Sequence, residues 1–217
     1  MEEDYDIVSA TEESQDNIVD FLRRAFYKHE PLNVAIGAPP DLPINCITPL
    51  KYLSEGKSLI AVSQTGRRIL GFCGNSVKTP KGNENIIQQM MYIQPPYNII
   101  VEFLNKIEDS ADIWTKTGAD RALLICHLGV DPAVKGRGIG RRLTEASRHL
   151  ARSEGYPLLY IMCTSYYSAK IARNIGMQCV YSLPYAEYKD KDGNPVFTPP
   201  QPHTEVAVFV QKLSPEA

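Results

Sequence analysis

Between His127 and Leu143 the sequence runs HLGVDPAVKGRGIGRRL, with three glycines in five residues (Gly136, Gly138, Gly140) and four basic residues around them (Lys135, Arg137, Arg141, Arg142). Glycine at this density weakens helix and strand alike. In return the backbone can curl until successive amide N–H groups point into one concavity. An apolar run ends at Val130 and a helical pattern opens near Ile139. A loop between them would offer an anion both free amides and the partial positive charge of a helix N-terminus. The chemistry this suggests is the cradling of a phosphate or pyrophosphate. The same residues also suit a tight strand-to-helix turn with a solvated basic face, and glycine spacing alone does not separate the two. Two other phosphate loops match poorly. No Lys-Ser or Lys-Thr pair follows the glycines as GxxxxGK[ST] requires, and a GxGxxG loop would need glycine where Arg141 stands.

The elements that would hold this loop follow from periodicity. YDIVSA (Tyr5–Ala10) reads as a strand. A helix follows with Thr11 as N-cap, Glu12 and Glu13 in its first turn, and Ile18, Phe21, Leu22, Ala25 and Phe26 at helical spacing. It should stop near HEPLN, because Pro31 disfavours helix in the residue before it. GAPPDLPIN reads as a proline-rich loop. SLIAVSQ and RILGFCGNSV, separated by TGR, read as a hairpin. Tyr97 to Thr117 reads as one helix through Ile100, Phe103, Leu104, Ile107, Ala111 and Trp114. RALLICHLGV (Arg121–Val130) reads as a strand, then GIGRRLTEASRHLARSEG as a helix with Ile139, Leu143, Ala146 and Leu150 on one stripe. PLLYIMC, MQCVYSLPYAEY and EVAVFVQKL read as further strands, with YYSAKIARNIG as a short helix closed by Gly176. The alternation points to one α/β or α+β layered domain spanning residues 1–217.

The 217 residues are 43% hydrophobic, enough for one sizeable core, and the formal net charge of −2 gives no overall field toward nucleic acid or membrane. The five cysteines (Cys46, Cys73, Cys126, Cys163, Cys179) include no CxxC pair, and three sit in apolar runs. They read as reduced core thiols rather than disulfides or a metal site. The acidic start MEEDYDIVSATEESQD has no apolar stretch of the secretory kind, and no segment approaches the ~20 apolar residues of a membrane helix. The expectation is a cytoplasmic monomer that binds neither nucleic acid, membrane nor metal.

LGVDPAVKGRGIGRRLTEAS resembles the acetyl-CoA-binding motif of the GNAT superfamily of N-acetyltransferases, in which a strand ending V-x-P leads to [Q/R]-x-x-G-x-[G/A]. Gly138 and Gly140 match; Lys135 stands where the motif prefers Gln or Arg. FYKHEPLN, CTSYYSAKIARNIGM and VFTPPQPH look like the insect-type arylalkylamine N-acetyltransferases, which spreads the likeness over nearly the whole chain. The resemblance implies a mixed, mostly antiparallel sheet of about seven strands, splayed in the middle and flanked by helices. Acetyl-CoA would lie in the gap, its pantetheine against Leu128, Gly129 and Val130. Its pyrophosphate would rest on Lys135, Gly136, Arg137, Gly138, Ile139, Gly140 and Arg141.

The implied reaction is direct acetyl transfer, in a ternary complex, to a small primary amine, with arylalkylamines such as dopamine, serotonin, tyramine or octopamine favoured. Polyamine or agmatine acylation, long-chain acyl-CoA acylation and a silent acyl-CoA-binding module are the alternatives. An amine attacks only when neutral, so a base is needed. The resemblance assigns that role to Glu30, usually acting through water. His29 stands at the family's usual Asp position, as either a proton relay or a surface residue. Thr164 and Ser168 align with a pair of family serines that orient the proton relay, though capping explains them too. Tyr166 or Tyr167 is placed to protonate the leaving thiolate, with Tyr167 also lining up with Ile171 and Ile175 as a core stripe. Tyr185 and His203 fall in segments that border the amine pocket in relatives. For the developing oxyanion the donor would be a backbone N–H near Leu128–Val130.

Overall fold

The computed structural model describes residues 4–39, 41, 48–64, 68–80 and 95–214. Its strands are β1 (Tyr5–Ser9), β2 (Leu59–Ser63), β3 (Ile69–Lys78), β4 (Ala122–Val130), β5 (Leu158–Cys163), β6 (Gln178–Pro184) and β7 (Glu205–Lys212). They form one open sheet in the order β1-β2-β3-β4-β5-β7-β6. Every pairing is antiparallel except β4 with β5. The helices are α1 (Gln15–Phe21), α2 (Pro31–Ala35), α3 (Tyr97–Ala111), α4 (Ile113–Thr117), α5 (Ile139–Ser153) and α6 (Tyr166–Asn174). β2 and β3 are hairpin partners as the sequence suggests; the TGR residues 65–67 and most of the GAPPDLPIN loop lie outside the described residues.

The sheet opens in its centre, as the resemblance implies. β4 pairs with β3 from Ala122 to Val130, but with β5 only across Leu123–Ile125 and Leu159–Ile161. The β3–β4 register shifts between Gly74 and Asn75, so that Gly74 faces His127, Asn75 faces Ile125, and Cys126 is left over as a bulge. A bulge bends its strand, and here the bend falls where β4 parts from β5. Fully buried Asn75 fastens the irregularity: its side chain donates to the Lys57 carbonyl (2.8 Å) and to Ser147 Oγ (2.9 Å), and its N–H donates to Ser58 Oγ (3.2 Å). Without these partners the displaced polar groups would be buried unsatisfied.

Each face carries a core. Beneath α5 and α6, Ile139, Leu143, Leu123, Ile125, Leu159, Ile161 and Phe209 pack together. On the opposite face, α1 covers β2 and β3 through Ile18, Phe21, Leu22 and Phe72, while α2 and α3 place Leu32, Phe103 and Ile107 against Leu124, Tyr160 and Val208. No helix among the described residues is long and apolar enough to cross a membrane.

Several local expectations need correction. Thr11 has extended backbone but its side chain caps nothing; Glu12–Ser14 form a 3-10 turn before α1, and Leu22–Tyr27 continue α1 as a π-helical turn. The 97–117 helix breaks at Asp112, whose φ of 44° is left-handed. On α5, Ile139 and Leu143 are buried but Ala146 and Leu150 only partly. The buried line runs instead through Thr144, Ser147 and Ala151, because the Ser147 hydroxyl serves Asn75. Tyr167 is 57% exposed and takes no part in a core stripe. Cys73 and Cys163 are buried, Cys126 is half-buried, Cys179 is exposed, and all four are free; Cys46 lies outside the described residues.

Candidate active site

Glu30 occupies the N-cap of α2, a helix the sequence reading missed. Pro31 ends the preceding helix but equally suits the first turn of a new one, where its lost N–H has no partner to forgo. The Glu30 carboxylate accepts three hydrogen bonds. Oε2 takes the Asn33 N–H (2.8 Å) and the Asn33 side-chain amide (2.7 Å), and Oε1 takes the Thr164 hydroxyl (2.8 Å). Burial raises its pKa above the ordinary glutamate value, and these donors pull the other way without cancelling it. Asn33 was not found from the sequence, because glutamate is not among the usual N-cap residue types and no signal pointed to a helix opening at Pro31.

Glu30 stands between the two lips of the open sheet, its backbone tied toward β4 through Phe26 and its carboxylate tied to the end of β5. On one side Phe26, whose carbonyl accepts the Glu30 N–H (2.8 Å), presses on β4 so closely that a Cβ at Gly129 would sit 3.2 Å from its ring. On the other, Thr164 directly follows β5. Thr164 is itself held by Tyr185, 3% exposed, whose hydroxyl donates to the Thr164 carbonyl at 2.7 Å. Tyr185 is therefore a buried support for Thr164.

Ser168 does not reach Glu30. Its hydroxyl donates to the Ser165 carbonyl (3.0 Å), while its N–H is capped by Ser165 Oγ (3.0 Å) at the start of α6. His203 Nδ1 accepts the Tyr166 N–H (3.1 Å), and its ring stands edge-on to Tyr167 at 5.7 Å, so it too holds the α6 N-terminus. Tyr166 is 45% exposed beside it. Desolvation, then Lys135 and Lys28, keep exposed His29 below the usual histidine range; desolvation and Lys135 do the same for His203. Both shifts favour the neutral imidazole, and the Lys135 ammonium lies close to each.

The glycine loop lies at the end of the unpaired stretch of β4. Leu128, Gly129 and Val130 pair only with Cys73, Phe72 and Gly71 of β3, so their other edge faces the gap. Gly136 and Gly138 adopt φ of 84° and 73°, a region strained for other residues, while Gly140 has room for no more: a Cβ there would meet Ile171 at 3.1 Å. The first helical bond of α5 runs from Arg142 N–H to the Gly138 carbonyl (3.0 Å), so the amides of Ile139, Gly140 and Arg141 lie ahead of it. The Ile139 side chain is core, leaving only its backbone for a ligand. Arg141 is exposed and paired with Glu145 (3.0 Å), and Arg137 and Arg142 lie over the Tyr5 ring. Lys135 is exposed at the loop's start. No group of three His, Cys, Asp or Glu side chains among the described residues is arranged to hold a metal ion.

An open mixed sheet with a parted central pair, an amide-rich glycine loop at the parting and a half-buried carboxylate beside it leave a cleft suited to an extended ligand with an anionic group. Residues 54–174 match the acetyltransferase (GNAT) family, and the chain belongs to that family of enzymes, whose fold uses acetyl-CoA. Its architecture is similar to that of arylalkylamine N-acetyltransferase 2 from Aedes aegypti (TM-score 0.90, 22% identity, 97% of this chain and 100% of that one). The Drosophila melanogaster polyamine N-acetyltransferase, an enzyme that forms N-acetylagmatine, is also similar (TM-score 0.84, 27% identity, 97% and 100%). A putative acetyltransferase from Salmonella typhimurium, solved with acetyl-CoA, matches more loosely (TM-score 0.58, 11% identity, 99% and 96%).

Proposed function

We propose that the protein transfers an acetyl group from acetyl-CoA to a small primary amine, and to an arylalkylamine by preference. The observation that carries this reading is the Glu30 carboxylate, partly buried and hydrogen-bonded to Thr164 where β4 and β5 part. Acetyl-CoA would lie along Leu128–Val130 with its pyrophosphate at the amides between Gly136 and Arg141. Glu30, directly or through a water, takes a proton from the ammonium, and the neutral nitrogen attacks the thioester carbonyl. A β4 amide stabilises the oxyanion, the C–S bond breaks, and the thiolate takes up the proton that the nitrogen sheds as the amide forms. A base whose pKa is raised by burial is a stronger proton acceptor than a free carboxylate.

The preference for an aryl group rests on how the nearby acids are used. Two carboxylates lie near Cys126 at the bulge, Glu55 and Glu108. Glu55 already accepts from Ser76 Oγ (3.1 Å) and Val77 N–H (2.8 Å), and Glu108 from the buried Tyr160 hydroxyl. Protein donors hold these two carboxylates, Glu55 through both oxygens and Glu108 through one, which lowers but does not remove their capacity to receive the distal cation of a polyamine. The likeness to the polyamine enzyme keeps agmatine as the second reading.

An amine panel with acetyl-CoA tests both, comparing kcat/KM for dopamine, serotonin, tyramine, agmatine and spermine. The arylalkylamines are expected to lead, and Glu30→Gln to lower their rate by about 10²–10⁴-fold while CoA still binds. Leadership by agmatine selects the second reading. CoA binding with no acetylation of any amine would mean a silent binding module.

A further inference from the structure

We propose that Arg24 and Asp131 form a clasp that positions Glu30 against the acetyl-CoA strand, so that both are positioning residues for the transfer. The inference rests on Glu30 being the base. Asp131 is the first residue after β4 and is 3% exposed. Its Oδ1 accepts the Ala133 N–H (2.9 Å), opening the turn that leads to the glycine loop. Its Oδ2 accepts from the guanidinium groups of Arg24 and Arg68. Arg24 comes from the π-helical turn that ends just before Glu30, and also donates to the Ile69 carbonyl (2.8 Å) and to Asp20 (3.1 Å). Two residues further on, Phe26 lies against Gly129 and stands edge-on to His127 (ring centroids 5.2 Å apart). Its carbonyl accepts the N–H groups of both His29 and Glu30.

The turn carrying Glu30 is therefore tied to the end of β4 at two points, an ion pair at Arg24 and an aromatic contact at Phe26. A buried carboxylate cannot release its cation cheaply, which makes the first point stiff. The π turn supplies the geometry, because its extra residue alters the direction in which the following segment leaves the helix. Arg68 binds the same Asp131 oxygen from the start of β3 and has no chain connection to the base. It anchors the loop alone, so it serves as an internal control.

The experiment compares wild type, Arg24→Gln, Arg24→Lys and Arg68→Gln by steady-state kinetics across pH, by thermal unfolding, and by an NMR titration of the Glu30 carboxyl. Loss of Arg24 frees the turn and lets water reach Glu30. Arg24→Gln is expected to lower kcat about 10-fold or more. It should also move the acid limb of kcat/KM for the amine, and the Glu30 titration, to lower pH. The KM for acetyl-CoA should change far less, and Arg24→Lys should recover part of the loss. Arg68→Gln is expected to lower the unfolding midpoint while leaving the acid limb in place. Equal kinetic effects from Arg24→Gln and Arg68→Gln, or an unmoved Glu30 titration in Arg24→Gln, would overturn the clasp. A wild type that acetylates no amine overturns the base assignment instead, and the NMR titration still decides whether Arg24 controls the environment of Glu30.

Discussion

Thr164 Oγ1 donates to Glu30 Oε1 at 2.8 Å, joining the turn ahead of α2 to the residue that follows β5. This bond favours the ionised carboxylate and opposes the burial that raises its pKa. Thr164→Val removes the donor and keeps the shape. The acid limb of the pH–rate profile should then move to higher pH and kcat should fall, while Thr164→Ser stays close to wild type. An acid limb unchanged in Thr164→Val would show that the bond has no part in setting the base.

Gly138 stands immediately ahead of α5 with φ of 73° and nothing within 4 Å of where a Cβ would lie. Alanine is therefore opposed by backbone conformation and not by crowding, at a cost of about 1 kcal/mol. Gly138→Ala should weaken acetyl-CoA binding, read by calorimetry, and raise its KM several-fold while the amine KM stays put. Equal increases in both constants would contradict a loop dedicated to the cofactor.

Tyr185 is buried and donates to the Thr164 carbonyl at 2.7 Å. Tyr185→Phe leaves that carbonyl unpartnered and should cost about 0.5–1.5 kcal/mol of stability, measured by urea unfolding. If Tyr185 only supports Thr164, the ranking of amines in the panel stays the same. A changed ranking would place Tyr185 in contact with the substrate.

What the sequence disclosed about the site divides along the range of the interactions. The glycine loop was legible because Gly136, Gly138, Gly140 and their basic neighbours are contiguous, and turn chemistry is local. The apolar periodicity placed all seven strands, since burial on a sheet face leaves its mark within each segment. The bulge at Cys126 was not legible, because it arises from the register against Gly74 and Asn75 about fifty residues away in the chain. Nor was the Arg24–Asp131 pair, whose members lie 107 positions apart. Glu30 came only from the likeness to known acetyltransferases; the residues alone suited a solvent-facing glutamate at a helix end, and the structure shows that it caps α2 instead. Ser168 likewise came from the likeness alone, and its contacts here are to Ser165 at the α6 terminus and to Cys163 at the end of β5.

Glu30 also ties activity to stability, with a definite sign. Its pKa is raised in the folded protein, chiefly by burial. A carboxyl of this kind favours the fold while protonated; that contribution is complete below the ordinary glutamate pKa and is lost as pH rises through the higher folded value. Above that folded value the fold carries an ionised, partly desolvated carboxylate, the form that catalysis requires. Glu30→Gln removes the titration. The stability of the variant relative to wild type should rise as pH climbs from the ordinary glutamate range through the raised folded value, read as the difference in unfolding midpoint, even though acetylation is lost. A difference that is flat across this range would show that the carboxylate is as well solvated in the folded state as in the unfolded chain, and that Glu30 has no raised pKa with which to draw a proton from the amine.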